Sequence, residues 1–130
     1  MPYFAHQDVL DNGILYLKAN VNQIRLLSTY AFNDSFATVS ANTVAFVNPL
    51  SADTVISSDG FNRRFGFGDF LVTASGSTSG EFFLHVACVD TTTSKVLWVT
   101  ECRENRQVLS GTQTIIPSAV YTAKQPVAGL

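Results

Sequence analysis

The chain has 130 residues, 46% of them hydrophobic and only 14% charged, with a formal net charge of −2. That length suits one domain with a core of its own, and the near-neutral charge excludes the basic stripe by which proteins hold nucleic-acid phosphates. A typical soluble domain carries about 25% charged residues, so polar surface here must come from Ser, Thr, Asn and Gln.

A low-charge surface suits life inside an assembly, or an ordinary domain with a bland exterior. Arg63-Arg64 and Arg103/Arg106 are the basic clusters, and each has acids nearby, so they read as solvated loop charges. Met1-Pro2-Tyr3-Phe4-Ala5-His6 has neither a basic nor an apolar leader segment, and no apolar run approaches the roughly 20 residues that span a bilayer. The expectation is a chain made in a cytoplasm, with no membrane anchor.

In chain order, residues 1–5 form a short lead in which Tyr3 and Phe4 are docking candidates. His6 to Val21 reads as a helix, with Val9, Leu10, Ile14, Leu15 and Leu17 on one stripe and Lys18 near its end, where a cation suits the dipole. Gly13 weakens that helix by about 1 kcal/mol relative to Ala, so packing must hold it. Gln23 to Tyr30 is a strand candidate, and 31–42 reads as a long polar loop. Thr43–Val47 is a strand stopped by Asn48-Pro49. Thr54–Ser57 is another, before a Ser58-Asp59-Gly60 turn.

Residues 61–70 are rich in Phe and Gly, with Phe65, Phe67 and Asp69 expected on one strand face and Leu71–Ala74 continuing the strand. Ser79 to Cys102 then reads as a hairpin at the centre of the fold. Phe82–Val89 is its all-apolar arm, interrupted by His85, and Lys95–Glu101 its alternating arm, with a loop of about four residues between. A turn centred on Thr92-Thr93 sets Leu97 opposite Cys88, so Cys88 and Cys102 lie too far apart along the ladder for a disulfide. Nor do they have zinc-site spacing. Arg103–Gly111 is a polar loop, Thr112–Ile116 a last strand, and 118–130 an extended arm without periodicity. The expected architecture is one domain over residues 1–130. It is mainly β, an antiparallel β-sandwich or partly open barrel with one N-terminal α-helix.

Catalytic chemistry needs convergent reactive groups. His85 sits alone on the most apolar strand and reads as a hydrogen-bonded core histidine. Asp8/Asp11 and Glu101/Glu104 read as surface pairs, and no nucleophile elbow or phosphate loop is present. The expectation is no enzyme, no metal and no cofactor. The aromatic run is the better functional candidate. Phe61, Phe65, Phe67 and Phe70, with Arg63 and Arg64, either fill the core or form an interface patch, and the two can coexist face by face. Tyr3, Phe4 and Tyr121 complete the candidate interface set.

Three segments carry a resemblance. They are Asp11–Asn20 running into Gln23–Ser28, then His85–Thr100, then Val108–Pro117. In this order they resemble a family of small tailed-phage virion proteins, the head decoration or cement proteins, encoded with the capsid genes. The likeness covers about half the chain, and the stretch from Phe32 to Phe70 departs from it. It implies a structural virion protein on the outer capsid surface, with the major capsid protein as partner, a homotrimer as its own assembly, and no active-site residues to carry over. Two other classes stand beside it. One is a carbohydrate- or receptor-binding β-module using Trp98, Tyr30 or Tyr121 as stacking platforms. The other is a head–tail connector component. A hydrolase would require His85 in an open cleft beside a carboxylate.

Overall fold

The computed structural model describes residues 4–5, 7–59 and 62–123, with side chains described at 13–58 and 63–123. Within these, helix α1 spans Gln7–Asn20, interrupted at Gly13, whose φ of 71° and ψ of −159° are not helical. A Cβ there would meet nothing within 4 Å, so the backbone angle, not crowding, is what calls for glycine. The predicted helix is therefore bent at its weakest residue. Lys18, in its last turn, donates to the Thr54 carbonyl at 2.6 Å and to Thr54 Oγ1 at 2.8 Å, tying the helix to the start of a strand.

The strands are β1 (Phe4–Ala5), β2 (Gln23–Leu27), β3 (Thr43–Val47), β4 (Thr54–Asp59), β5 (Asn62–Phe67), β6 (Phe70–Thr73), β7 (His85–Asp90), β8 (Lys95–Glu101), β9 (Gln113–Ile116) and β10 (Ala119–Ala123). They form a five-stranded sheet ordered β1-β8-β7-β2-β3, a three-stranded sheet β10-β5-β4 and a two-stranded pair β6-β9. Every pairing is antiparallel. The molecule is mainly β and sandwich-like, without closure into a barrel, as the sequence pattern predicts.

β7 is the middle strand of the large sheet and is buried along its whole length, which is why its sequence is apolar without alternation. Its link to β8 is the four-residue turn Thr91–Ser94. Asp90 anchors the turn by accepting from Thr92 N at 3.0 Å and from Thr93 Oγ1 at 2.9 Å. The predicted register is off by one. Val89 faces Val96, but Cys88 faces Trp98, because Leu97 is an extra residue bulged out of the ladder. The bulge turns both Leu97 and Trp98 into the same cluster, while Val96 and Val99 face the opposite side.

Two cores result, one on each face of the large sheet. The larger lies against the β10-β5-β4 sheet and α1, and joins Leu17, Ile24, Leu26, Phe65, Phe67, Val86, Leu97 and Trp98. The smaller joins Leu27, Tyr30, Val39, Ala87, Val89, Val96 and Val99 beneath Phe36. Val39 and Phe36 belong to α2 (Phe36–Ala41), capped by the Ser35 side chain on Thr38 N, in a stretch expected to be loop. Arg25 is buried on this side, donating to Gln23 Oε1 at 2.6 Å and Ser40 Oγ at 2.8 Å, with its guanidinium 5.0 Å from the Phe36 ring centre.

Three further expectations are corrected. The strand from residue 62 does not continue through Ala74. It ends at Phe67, and β6 leaves for a different sheet after Gly68-Asp69, so Asp69 shares no strand face with Phe65. Its Oδ1 accepts from Ser118 N at 2.7 Å instead. The first arm of the hairpin begins at His85, not Phe82. The arms are also partly internal. Phe4–Ala5 pairs with β8, and Ala119–Ala123 pairs with β5, while 1–3 and 124–130 lie outside the described residues.

Phe65 is fully buried with its ring 6.4 Å from that of Trp98. Phe65→Ala is expected to lower stability by about 3–5 kcal/mol. Val55→Ala, on the outward face of the same sheet, is expected to change it by about 0.5 kcal/mol or less. Urea unfolding followed by the fluorescence of Trp98, the single tryptophan, measures both.

Candidate functional site

The structure divides the sequence-predicted interface residues by strand face. On β5, Phe65 and Phe67 point inward and are buried. Phe70 packs on Phe67 with ring centres 5.8 Å apart. Tyr121 is half-buried, its ring edge-on to Trp98 at 5.6 Å. These aromatics are core. Arg63 is exposed and donates to Ser58 Oγ at 2.7 Å. Arg64 stands on the outward face between Ser57 and Thr122. Phe4 is placed by its backbone pairing with Val99, and Tyr3 and Phe61 lie outside the described residues.

The surface that remains is assembled by register. On β6–β9, Leu71 lies opposite Ile115, and both are exposed. On β4-β5-β10, Val55, Gly66 and Val120 form one cross-strand row, with Val55 and Val120 exposed. Both smaller sheets thus bury one face against the core and present aliphatic side chains on the other. Their strands were visible in the sequence, but their outward rows depend on pairings between distant segments. Phe82 and Phe83 are likewise exposed, just before β7.

The buried polar groups form a second constellation. His85 on β7 faces Glu101 on β8, its Nε2 3.8 Å from Glu101 Oε2, and the Tyr30 ring lies 5.9 Å from the imidazole. Both side chains of the pair are about 95% buried. Among the described residues no side chain donates to or accepts from either His85 nitrogen, Glu101 Oε1 or the Tyr30 hydroxyl at hydrogen-bond distance. His85 is therefore a core histidine as predicted, with the Glu101 carboxylate and the Phe83 backbone as its polar neighbours. Burial pushes its pKa below the ordinary 6.5, against the opposing pull of Glu101 and the nearby Phe83 carbonyl. Burial also raises the Tyr30 hydroxyl. A carboxylate does stand beside His85, yet the pair is sealed from solvent and does not line a cleft. Cys88 and Cys102 are both free thiols. Burial raises both pKa values, that of Cys102 to about 12, with Glu104 adding to it, so neither supplies a thiolate near neutral pH.

Trp98 and Tyr30 are buried as well, so neither can serve as a platform for a sugar ring. Compared with protein-family models, curated proteins and solved structures, the chain matches none.

A depressed histidine pKa sets the sign of a pH effect. As pH falls through 6.5, the unfolded chain takes up the proton before the folded one. The contribution is complete above that value and is lost as the pH drops towards the folded pKa. Urea midpoints between about pH 8 and about pH 5 are expected to fall for the wild type. His85→Gln, which cannot be protonated, should show a smaller fall. In the native state both thiols are expected to resist a disulfide reagent, and both should react at once in denaturant.

Proposed function

We propose that this chain is a structural virion protein that binds the outer surface of a tailed-phage capsid and stabilises the lattice. The observation that carries the reading is the pair of outward aliphatic rows, Leu71 opposite Ile115 and Val55 beside Val120, on a chain that is only 14% charged. Apolar patches with few charges suit burial against another protein, since desolvating them costs little. A lattice repeats the contact many times, so modest affinity per copy adds up. The resemblance of Asp11–Ser28, His85–Thr100 and Val108–Pro117 to head decoration proteins supports the same reading. It makes the major capsid protein the partner, a trimer the oligomer, and the virion surface the location, after synthesis in the host cytoplasm. The sugar-binding alternative is weakened by the burial of Trp98 and Tyr30.

The test is co-sedimentation with undecorated heads of the phage that encodes the chain. Wild type should pellet at a fixed ratio to the shell protein. Leu71→Asp and Ile115→Asp should each weaken binding about tenfold or more, as expected for anchors of an apolar patch. Their unfolding midpoints should change little, because both positions are exposed. Wild type left in the supernatant at every concentration would overturn the assignment.

A further inference from the structure

The row Val55–Gly66–Val120 has a gap at its centre. Gly66 has no side chain, and Val55 and Val120, 55% and 54% exposed, stand on either side of it. Asp53, Ser57, Arg64, Phe67 and Gly68 complete the lining of a notch of about 260 Å³. A Cβ at position 66 would come within 3.2 Å of both the Val120 side chain and the Ala119 carbonyl, so glycine keeps the notch open. Pockets for small ligands hold roughly 300–1,000 Å³. This notch is smaller and open, the size of one inserted side chain.

Its electrostatics call for an anion. The Arg64 side chain makes no hydrogen bond or ion pair with the described residues, and its Nε is buried without a partner among them. The nearby Asp53 carboxylate is already engaged, accepting from Leu50 N at 2.8 Å. The occupant that fits is an apolar side chain with a carboxylate beside it.

The chain itself carries that combination. Glu81-Phe82-Phe83 is exposed, with Phe82 at 63% and Phe83 at 47%, and the Glu81 carboxylate has no partner among the described residues. The segment is held at both ends. Gly80, with φ of 81°, lies so close to the Asn105 carbonyl that a Cβ would stand 2.8 Å from it, and Leu84 N donates to the Glu104 carbonyl at 2.7 Å. A fixed knob costs less entropy to dock than a free one. The comparable stretch Asp69-Phe70-Leu71 does not qualify, because Asp69 is bonded to Ser118 N and Phe70 packs on Phe67.

The knob precedes β7 of the large sheet, and the notch is on the face of β4-β5-β10 turned away from that sheet. We propose that Phe82 of one copy seats in the Gly66 notch of a second copy, with the Glu81 carboxylate on the Arg64 guanidinium. The contact joins two different patches, so it is head-to-tail, and copies close into a ring when the rotation permits. The charged pair supplies a strengthened hydrogen bond and sets the orientation. The proposal shares the assembly reading above but does not depend on a capsid.

Light scattering of the isolated protein tests it. Wild type should exceed the 14.1 kDa of one chain. Phe82→Ser, Gly66→Val, Arg64→Glu and Glu81→Arg should each raise the dissociation constant about tenfold or more, the scale of a hot-spot loss. The double variant Arg64→Glu/Glu81→Arg should recover association. Mixing Phe82→Ser with Gly66→Val should give a one-to-one pair that grows no further, since only one knob and one notch survive. Phe82 is exposed, so Phe82→Ser is expected to keep the native fold by circular dichroism even if Gly66→Val does not. A monomeric wild type, or a Phe82→Ser variant that associates as well as wild type, would overturn the contact. Association without shell binding would leave it standing while removing the capsid role. Shell binding by a wild-type monomer would do the reverse.

Discussion

Trp98 holds the two layers together. Its ring meets Phe65 at 6.4 Å, Phe67 at 6.4 Å and Tyr121 at 5.6 Å, each close to edge-on. Such pairs contribute roughly 0.5–1.5 kcal/mol each beyond the area they bury. The three partners come from β5 and β10, so one side chain of the large sheet grips two strands of the small one. Were Leu97 an ordinary ladder residue and not bulged, strict alternation from Val96 would turn Trp98 towards the α2 side. The fold therefore depends on one irregular residue in an otherwise regular hairpin.

That arrangement turns the described aromatics of β5, β8 and β10 inward. Phe65, Phe67, Trp98 and Tyr30 are buried, and Phe70 and Tyr121 pack against the cluster. The outward faces of the two smaller sheets carry mainly aliphatic and hydroxyl side chains, with Arg64 among them and glycine at the centre of one row. Because β5 is the middle strand of β10-β5-β4, its alternation determines both faces at once. Phe65 and Phe67 close the core, while Arg64, just before them, and Gly66, between them, shape the surface.

The parts legible in sequence were those with unambiguous punctuation. β3 was bounded as found because Asn48-Pro49 stops it, and the β7–β8 turn was found because Thr91–Ser94 interrupts two apolar arms. The bulge was hidden because Val-Leu-Trp-Val is apolar at every position, and alternation cannot report a slip where both faces are buried. The start of β7 was hidden for the same reason, with Phe82 and Phe83 blending into the strand that follows. α2 has only six residues, too few for a periodic pattern. Its signal was the Ser35 cap before Phe36 and Val39. The outward rows, and the meeting of Tyr30, His85 and Glu101, arise from pairings between distant segments that local reading does not supply.

Phe82 and Phe83 are where the economy of this surface breaks down. Burying a phenylalanine gains about 1.5–3 kcal/mol over leaving it exposed. Two neighbouring rings in water forgo that gain twice, and a scattered exposed apolar residue needs no such account. Folding does not require them, since β7 is already pinned by Leu84 and its neighbours and covered on both faces. Polar residues would serve the segment equally well. The proposed contact between copies would bury this apolar, acid-flanked protrusion and recover what the fold leaves exposed.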